Sequence, residues 1–125
     1  MIILASKSGV RKKILDKNKI PCKVVPSNVD EDQAKLSLQA EGADPELISK
    51  NLAELKSIKV SKQFPNELVL GADSVISLNN GLINKPTSRE EAMVILKKLN
   101  GAKHYLISSV CISKNSSMIW KHTDK

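Results

Sequence analysis

Ile2-Ile3-Leu4-Ala5-Ser6-Lys7-Ser8-Gly9-Val10-Arg11-Lys12-Lys13 passes from an apolar run, through small residues, into a basic stretch. Ile2 to Ala5 is short and apolar, as in a buried strand. Ser6 to Gly9 breaks it and lets the chain turn tightly. Arg11 to Lys19 then reads as a helix with Ile14 and Leu15 on its apolar face. A strand that turns directly into a helix opens an α/β chain, provided that the alternation continues.

It does continue. Pro21 ends the first helix, and Cys22 to Val25 is a second short strand. Pro26 to Asp32 is polar and acidic and reads as a loop. Asp44, Pro45 and Glu46 supply an N-cap, a first-turn proline and an early acid. Leu47, Ile48, Leu52, Leu55 and Ile58 then recur at helical intervals, up to Pro65 and Asn66. Glu67 to Leu78 reads as a strand interrupted at Gly71-Ala72-Asp73, followed by an Asn79-Asn80-Gly81 turn and a brief return at Leu82 and Ile83. Ser88, with Glu91 three residues on, has capping-box spacing. It opens a helix to Leu99 that buries Ala92, Val94, Ile95, Leu96 and Leu99. Tyr105 to Ile112 is a β-branched, apolar run, and Met118 to Lys121 begins another strand. The expectation is one α/β domain over residues 1–125, with no internal repeat or linker.

Composition narrows the function. With 41% hydrophobic residues the chain can build a core, and with 2% aromatics that core must be Ile, Leu and Val. The net charge of +7 suits anionic partners but equally a lysine-rich solubilising surface. Phe64, Tyr105 and Trp120 are scattered, which weighs against a stacking platform for single-stranded nucleic acid. Cys22 and Cys111 lack zinc-type spacing and read as small buried hydrophobes in a reducing, cytoplasmic setting. No run is long enough to span a bilayer, so no membrane partner is expected. The opening apolar run is too short for a signal-peptide core.

Four groups could carry chemistry. Ser6, Ser8 and Arg11 sit where a strand turns into a helix, a place where backbone N–H groups, hydroxyls and a guanidinium can hold phosphate. The same residues could equally form a capped helix with a basic first turn, and the spacing is not that of a P-loop. Asp73 lies within an apolar strand pattern, where a carboxylate is costly unless solvated, paired or on metal. Gly71 and Ala72 are expected to leave room there for a ligand, although an Asp that simply turns the backbone is the alternative. Asp30, Glu31 and Asp32 could hold Mg²⁺ through oxygen or be a solvated charge run. Lys56 and Lys85 do not stand out among 20 basic residues. His104 and His122 have no metal-ligand spacing, and there is no Gly-x-Ser-x-Gly elbow.

In order along the chain, Leu4-Ala5-Ser6-Lys7-Ser8 with Arg11, Val29-Asp30-Glu31, Leu52-Ala53-Glu54-Leu55-Lys56, Gly71-Ala72-Asp73-Ser74, Lys85-Pro86 and Leu96 to Gly101 with His104 resemble the Maf-like nucleoside triphosphate pyrophosphatases. The resemblance implies a mixed twisted sheet with flanking helices, of the Maf/ITPase-like kind. It implies hydrolysis of (deoxy)nucleoside triphosphates, non-standard or modified ones included, to monophosphate and pyrophosphate with a divalent cation, Mg²⁺ or Mn²⁺. Matched residue by residue, it makes Asp73 the general base, with Lys56 and Lys85 as further catalytic groups. Glu31 and Asp73 become the metal ligands, and Ser6, Ser8, Val10, Arg11 and Ser74 the substrate contacts.

The match has two departures. The family commonly reads Ser-Pro-Arg-Arg where this chain has Ser8-Gly9-Val10-Arg11, and Val10 and Ser74 fall at positions tied to base selection. The family's chain also runs on into an Asp-Lys-Ala-Gly-Ala-Tyr-Gly-like segment, whereas this sequence stops at Thr123-Asp124-Lys125. The sequence is therefore expected to be the N-terminal part of such a domain, with apolar surface left open to self-association, as in a homodimer. A basic nucleotide- or nucleic-acid-binding module without catalysis is the competing reading.

Overall fold

A computed structural model of the chain describes residues 2–6, 9–78, 81–83, 88–101 and 103–125. Ten elements follow in order: β1 (Ile2–Leu4), α1 (Gly9–Lys17), β2 (Cys22–Val24), α2 (Glu31–Ala40), α3 (Pro45–Ser61), β3 (Val69–Leu78), β4 (Gly81–Ile83), α4 (Arg89–Leu99), β5 (His104–Lys114) and β6 (Ser117–Asp124). The strands form one sheet in the order β2-β1-β3-β5-β6, with β4 also on β3. β1 runs parallel to β2 and β3, while β4 and β5 pair antiparallel with β3, and β6 with β5. The expected α/β class and mixed sheet are therefore present.

α3 is the element on which the site depends. Asp44 caps it by accepting the Leu47 N–H at 2.9 Å, and Pro45 occupies the first turn, where its missing N–H costs nothing. Its buried stripe is not the leucine-rich one expected, since Leu47 and Leu55 are 47% and 45% exposed. Ile48, Leu52 and Val60 are buried together with Ser49, Ala53, Ser57 and Ser61, a row of small residues at four-residue intervals. Short side chains let the helix axis approach the sheet closely, and their hydroxyls then need partners. Ser49 Oγ lies 3.2 Å from the Asp73 carbonyl and 2.9 Å from Ser109 Oγ. Ser57 Oγ lies 3.1 Å from the Val69 carbonyl and 2.5 Å from Ser113 Oγ. Ser61 Oγ accepts the Ser116 N–H at 2.9 Å. Helical periodicity is thus correct for α3, with Ile48 and Leu52 buried as expected, but serine hydroxyls take the place of Leu47 and Leu55 on the buried face.

The approach is closest at Gly71. A Cβ there would lie 2.3 Å from the Ala53 carbonyl oxygen and 2.8 Å from both Cβ and N of Ser57. Gly71 therefore makes room for α3, not for a ligand as the sequence suggested. Nor is β3 interrupted there, because Gly71, Ala72 and Asp73 keep their pairing with Cys111, Val110 and Ser109.

Further expectations change. Residues 31–40 form α2, which periodicity missed because Ala34, Leu36, Leu38 and Ala40 recur every second residue. Its start is legible only as a cap: Asp30 accepts the Gln33 N–H at 3.1 Å. α4 is capped by Ser88 as expected but has no buried residue, and Met93, Val94 and Leu96 are 51%, 52% and 61% exposed. α1 likewise buries nothing, with Ile14 exposed and Leu15 half-buried. β1 is packed on both faces, since the consecutive Ile3 and Leu4 are both buried, whereas Leu106 and Trp120 on the face away from α3 remain exposed. Cys111 is buried as expected, but Cys22 is only half-buried. Among the described residues no helix is long and apolar enough to cross a membrane.

Candidate active site

β1 pairs with β3 only at Ile3–Val69 and Leu4–Leu70, and β4 rejoins the same edge at Ile76 to Leu78. Between them, no described residue pairs with β3 on that edge, just past the carboxyl end of β1. A cleft of about 640 Å³ opens there, lined by Ala5 and Ser6 after β1, Arg11 of α1, residues 27–32, Lys56 of α3, and Asp73 and Ser74 of β3. Ligands commonly bind outside the carboxyl ends of parallel strands, and this is such a place.

The centre of the cleft is an ion cluster. Lys56, only 6% exposed, reaches from α3 to three oxygens: Glu31 Oε1 at 2.5 Å, Asp73 Oδ1 at 3.2 Å and the Ala72 carbonyl at 3.2 Å. An ammonium has three protons, so each can be donated, and this is how a lysine is kept at depth. The strand beneath is fixed by the Ser49 hydroxyl on the Asp73 carbonyl. Asp73 is 5% exposed, and its Oδ2 is buried without a hydrogen-bond partner among the described residues. Burial pushes the Asp73 carboxyl above its ordinary value, and the Lys56 charge opposes this without cancelling it. Among the described residues, the one Lys56 ammonium is shared by the carboxylates of Glu31 and Asp73. An orphaned, dry carboxylate oxygen is costly, and a cation or an acidic proton would relieve it.

At the cleft's other wall, Arg11 donates from Nη1 to Ser6 Oγ at 2.9 Å. This joins the residue after β1 to α1. Ser74 lines the cleft and exchanges a 3.0 Å hydrogen bond with Ser108. Val10 is 67% exposed on α1 and is not one of the lining residues. Ser8 and Lys85 lie outside the described residues. The fold thus gathers Ser6, Arg11, Glu31, Lys56, Asp73 and Ser74.

The sequence reading missed Ser27 and Asn28, which line the cleft beside the acidic residues. Asn28 has φ +55°, a conformation that Asn tolerates better than most residues, and its carbonyl accepts from Lys59 Nζ at 2.9 Å. An Asn two residues before the acidic run was the available signal.

For a divalent cation, the described residues hold no group of three His, Cys, Asp or Glu side chains. They do offer hard oxygen donors on Asp73 and Glu31, one of them unpartnered. Mg²⁺ is usually held by one or two carboxylates, with water and substrate phosphates completing its shell. The site fits that mode and not an all-protein cage.

A family model described as Maf-like protein matches residues 1–125. A nucleoside triphosphate pyrophosphatase of Pelagibacter ubique is 64% identical over 124 residues, covering 99% of this chain and 64% of the relative. One from Ruegeria sp. (strain TM1040) is 40% identical over 121 residues, with 97% and 61% coverage. A 7-methyl-GTP pyrophosphatase of Brucella abortus is 34% identical over 121 residues, with 97% and 61% coverage. The chain thus spans under two thirds of the length of these relatives. The solved Ham1 protein of Staphylococcus aureus superposes with a TM-score of 0.56 at 17% identity, covering 98% of this chain and 66% of that one. It shares the fold.

Proposed function

This chain belongs to the Maf-like protein family, and from that premise we propose that its cleft hydrolyses nucleoside triphosphates to the monophosphate and pyrophosphate. The observation that carries this reading is the buried Oδ2 of Asp73, without a partner among the described residues, in a cleft that also holds a lysine–glutamate pair and the Arg11–Ser6 hydrogen bond. Such a carboxylate can take a proton from water attacking a bound phosphorus. Arg11 and the Ser6 turn supply donors for the phosphate chain, and Lys56 supplies charge beside it. A divalent cation on Asp73 and Glu31 would acidify water and screen the phosphates. The raised pKa of Asp73 suits a base better than an ordinary carboxylate does.

The nucleotides we propose include non-standard or modified ones. The name of the Brucella relative supports this. Ser74, on the cleft wall, is the better placed of the two base-selection positions, since Val10 lies off it.

The test is product analysis with the 125-residue chain, Mg²⁺ or Mn²⁺ and a panel of ordinary and modified triphosphates. Equimolar monophosphate and pyrophosphate are expected. Orthophosphate with diphosphate would replace the reading by a γ-phosphatase, and tight binding without products would replace it by a binding module.

Arg11→Ala is expected to weaken triphosphate binding roughly 10- to 100-fold, the range of one or two lost charge-assisted hydrogen bonds. Monophosphate binding should fall by less than about threefold, because the guanidinium is proposed to meet the β- and γ-phosphates. Calorimetric titration reads both, and equal losses would remove Arg11 from the polyphosphate.

A further inference from the structure

We propose that Lys56 is a resident counter-ion occupying the place of the divalent cation, so that metal alone is excluded from the site and enters only together with a polyphosphate. The inference rests on the pyrophosphatase reading for its ligand, but its observations are independent. Lys56 Nζ is the only described cation within salt-bridge distance of both Asp73 and Glu31, and it binds one oxygen of each. A third contact, to the Ala72 carbonyl, uses its last proton. An ammonium surrounded by three oxygens at 2.5 Å to 3.2 Å is arranged as a small cation would be. Only Asp73 Oδ2 is left without a partner among the described residues.

A divalent cation that binds both carboxylates must therefore share them with a buried positive charge. Lys56 and Asp73 are both buried, and beside them two like charges a few ångströms apart are weakly screened and repel strongly. An incoming polyphosphate changes the balance. It carries enough negative charge for both cations, and Lys56 can exchange Glu31 for a phosphate oxygen. Lys56 would then have two settings: neutralising the carboxylates when the cleft is empty, and neutralising phosphate when it is filled. The arrangement keeps the site from holding free metal and from leaving a bare pair of acids.

The experiment is Mn²⁺ binding without nucleotide, read by calorimetry and by loss of the free-ion electron paramagnetic resonance signal. Wild type is expected to bind Mn²⁺ weakly, and Lys56→Met at least roughly tenfold more tightly, because a like charge has gone from between the ligands. Lys59→Met removes the same charge from the same helix but from a lysine on a backbone carbonyl. It should leave Mn²⁺ affinity within about twofold, a limit set by screening at an exposed site. Lys56→Gln, which keeps N–H donors for Glu31 and Ala72, guards against misfolding of the Met variant and should show the same gain. If either Lys56 variant melts early, Mn²⁺ should restore its melting temperature and NaCl at equal ionic strength should not. Unchanged or weaker Mn²⁺ binding in both Lys56 variants, or failure of Mn²⁺ to restore them, overturns the proposal. If wild type nevertheless releases pyrophosphate, the activity stands and only the role of Lys56 falls.

Discussion

Asp73→Asn is expected to lower triphosphate turnover by about 10²- to 10⁴-fold, the usual range for loss of a positioned general base. Nucleotide affinity should change far less, since the Ser6–Arg11 turn is untouched. Stability should hold or rise. Burial disfavours the ionised Asp73 carboxyl more than Lys56 favours it, and Asn removes that buried charge while leaving the Lys56–Glu31 pair. Asn can still accept from Lys56 on Oδ1, and its amide nitrogen takes the place of an Oδ2 that already lacks a partner among the described residues, so one unsatisfied atom replaces another.

The sign of the pH dependence follows from the raised carboxyl. The folded state holds the Asp73 proton more tightly than the unfolded chain does. Its stabilising contribution is complete below the ordinary carboxylate pKa of about 3.9 and is lost as pH rises through the folded value. The Asn variant has no such loss, so its melting temperature should gain on wild type as pH rises above about 4. Thermal melts across that range, with single-turnover assays at neutral pH, check both halves. Turnover within a few-fold of wild type would remove Asp73 from the chemistry, and a melting gap that narrows with rising pH would reverse the electrostatic account.

Gly71→Ala is expected to destabilise the fold by about 3 kcal/mol, the upper end for overpacking a close contact. The new Cβ would meet backbone atoms, the Ala53 carbonyl oxygen and Ser57 N, as well as Ser57 Cβ. A flexible side chain could swing away, but a helix backbone cannot, so α3 must lift from β3. For a chain of this size the melting temperature should fall by roughly 10 °C. Activity should fall further than stability alone dictates, because α3 carries Lys56 and a lift of a few tenths of an ångström misplaces it against Asp73. Ala72→Gly, one residue along on the opposite face of β3, is the control. It should cost only about 1 kcal/mol and leave the position of Lys56 unchanged. A Gly71→Ala variant as stable and active as wild type would show that α3 does not press on the strand.

Local chemistry made much of this molecule legible from its residues. The strand-turn-helix at Ile2 to Lys13, the Asp44-Pro45-Glu46 helix start and the Ser88 cap depend on neighbours within a few positions, where side-chain oxygens and missing N–H groups act directly. An acid within an apolar strand marked Asp73, because its burial demands a reason. The acidic run marked Glu31 as one of three candidate carboxylates, and the family resemblance singled out Lys56 by motif, which charge could not have done among 20 basic residues.

Tertiary structure decided the rest. Gly71 and the row of Ser49, Ser57 and Ser61 have meaning only once α3 lies against β3 and β5, since hydroxyls bury when the facing strand supplies acceptors. Leu47 and Leu55 satisfy helical periodicity and still face solvent, because periodicity defines a stripe but not which stripe finds a partner. The union of Lys56, Glu31 and Asp73 is likewise tertiary. It joins three elements 17 to 42 residues apart in the chain, and its buried carboxylate oxygen and its saturated ammonium arise only when the sheet edge between β1 and β4 brings them into one cleft.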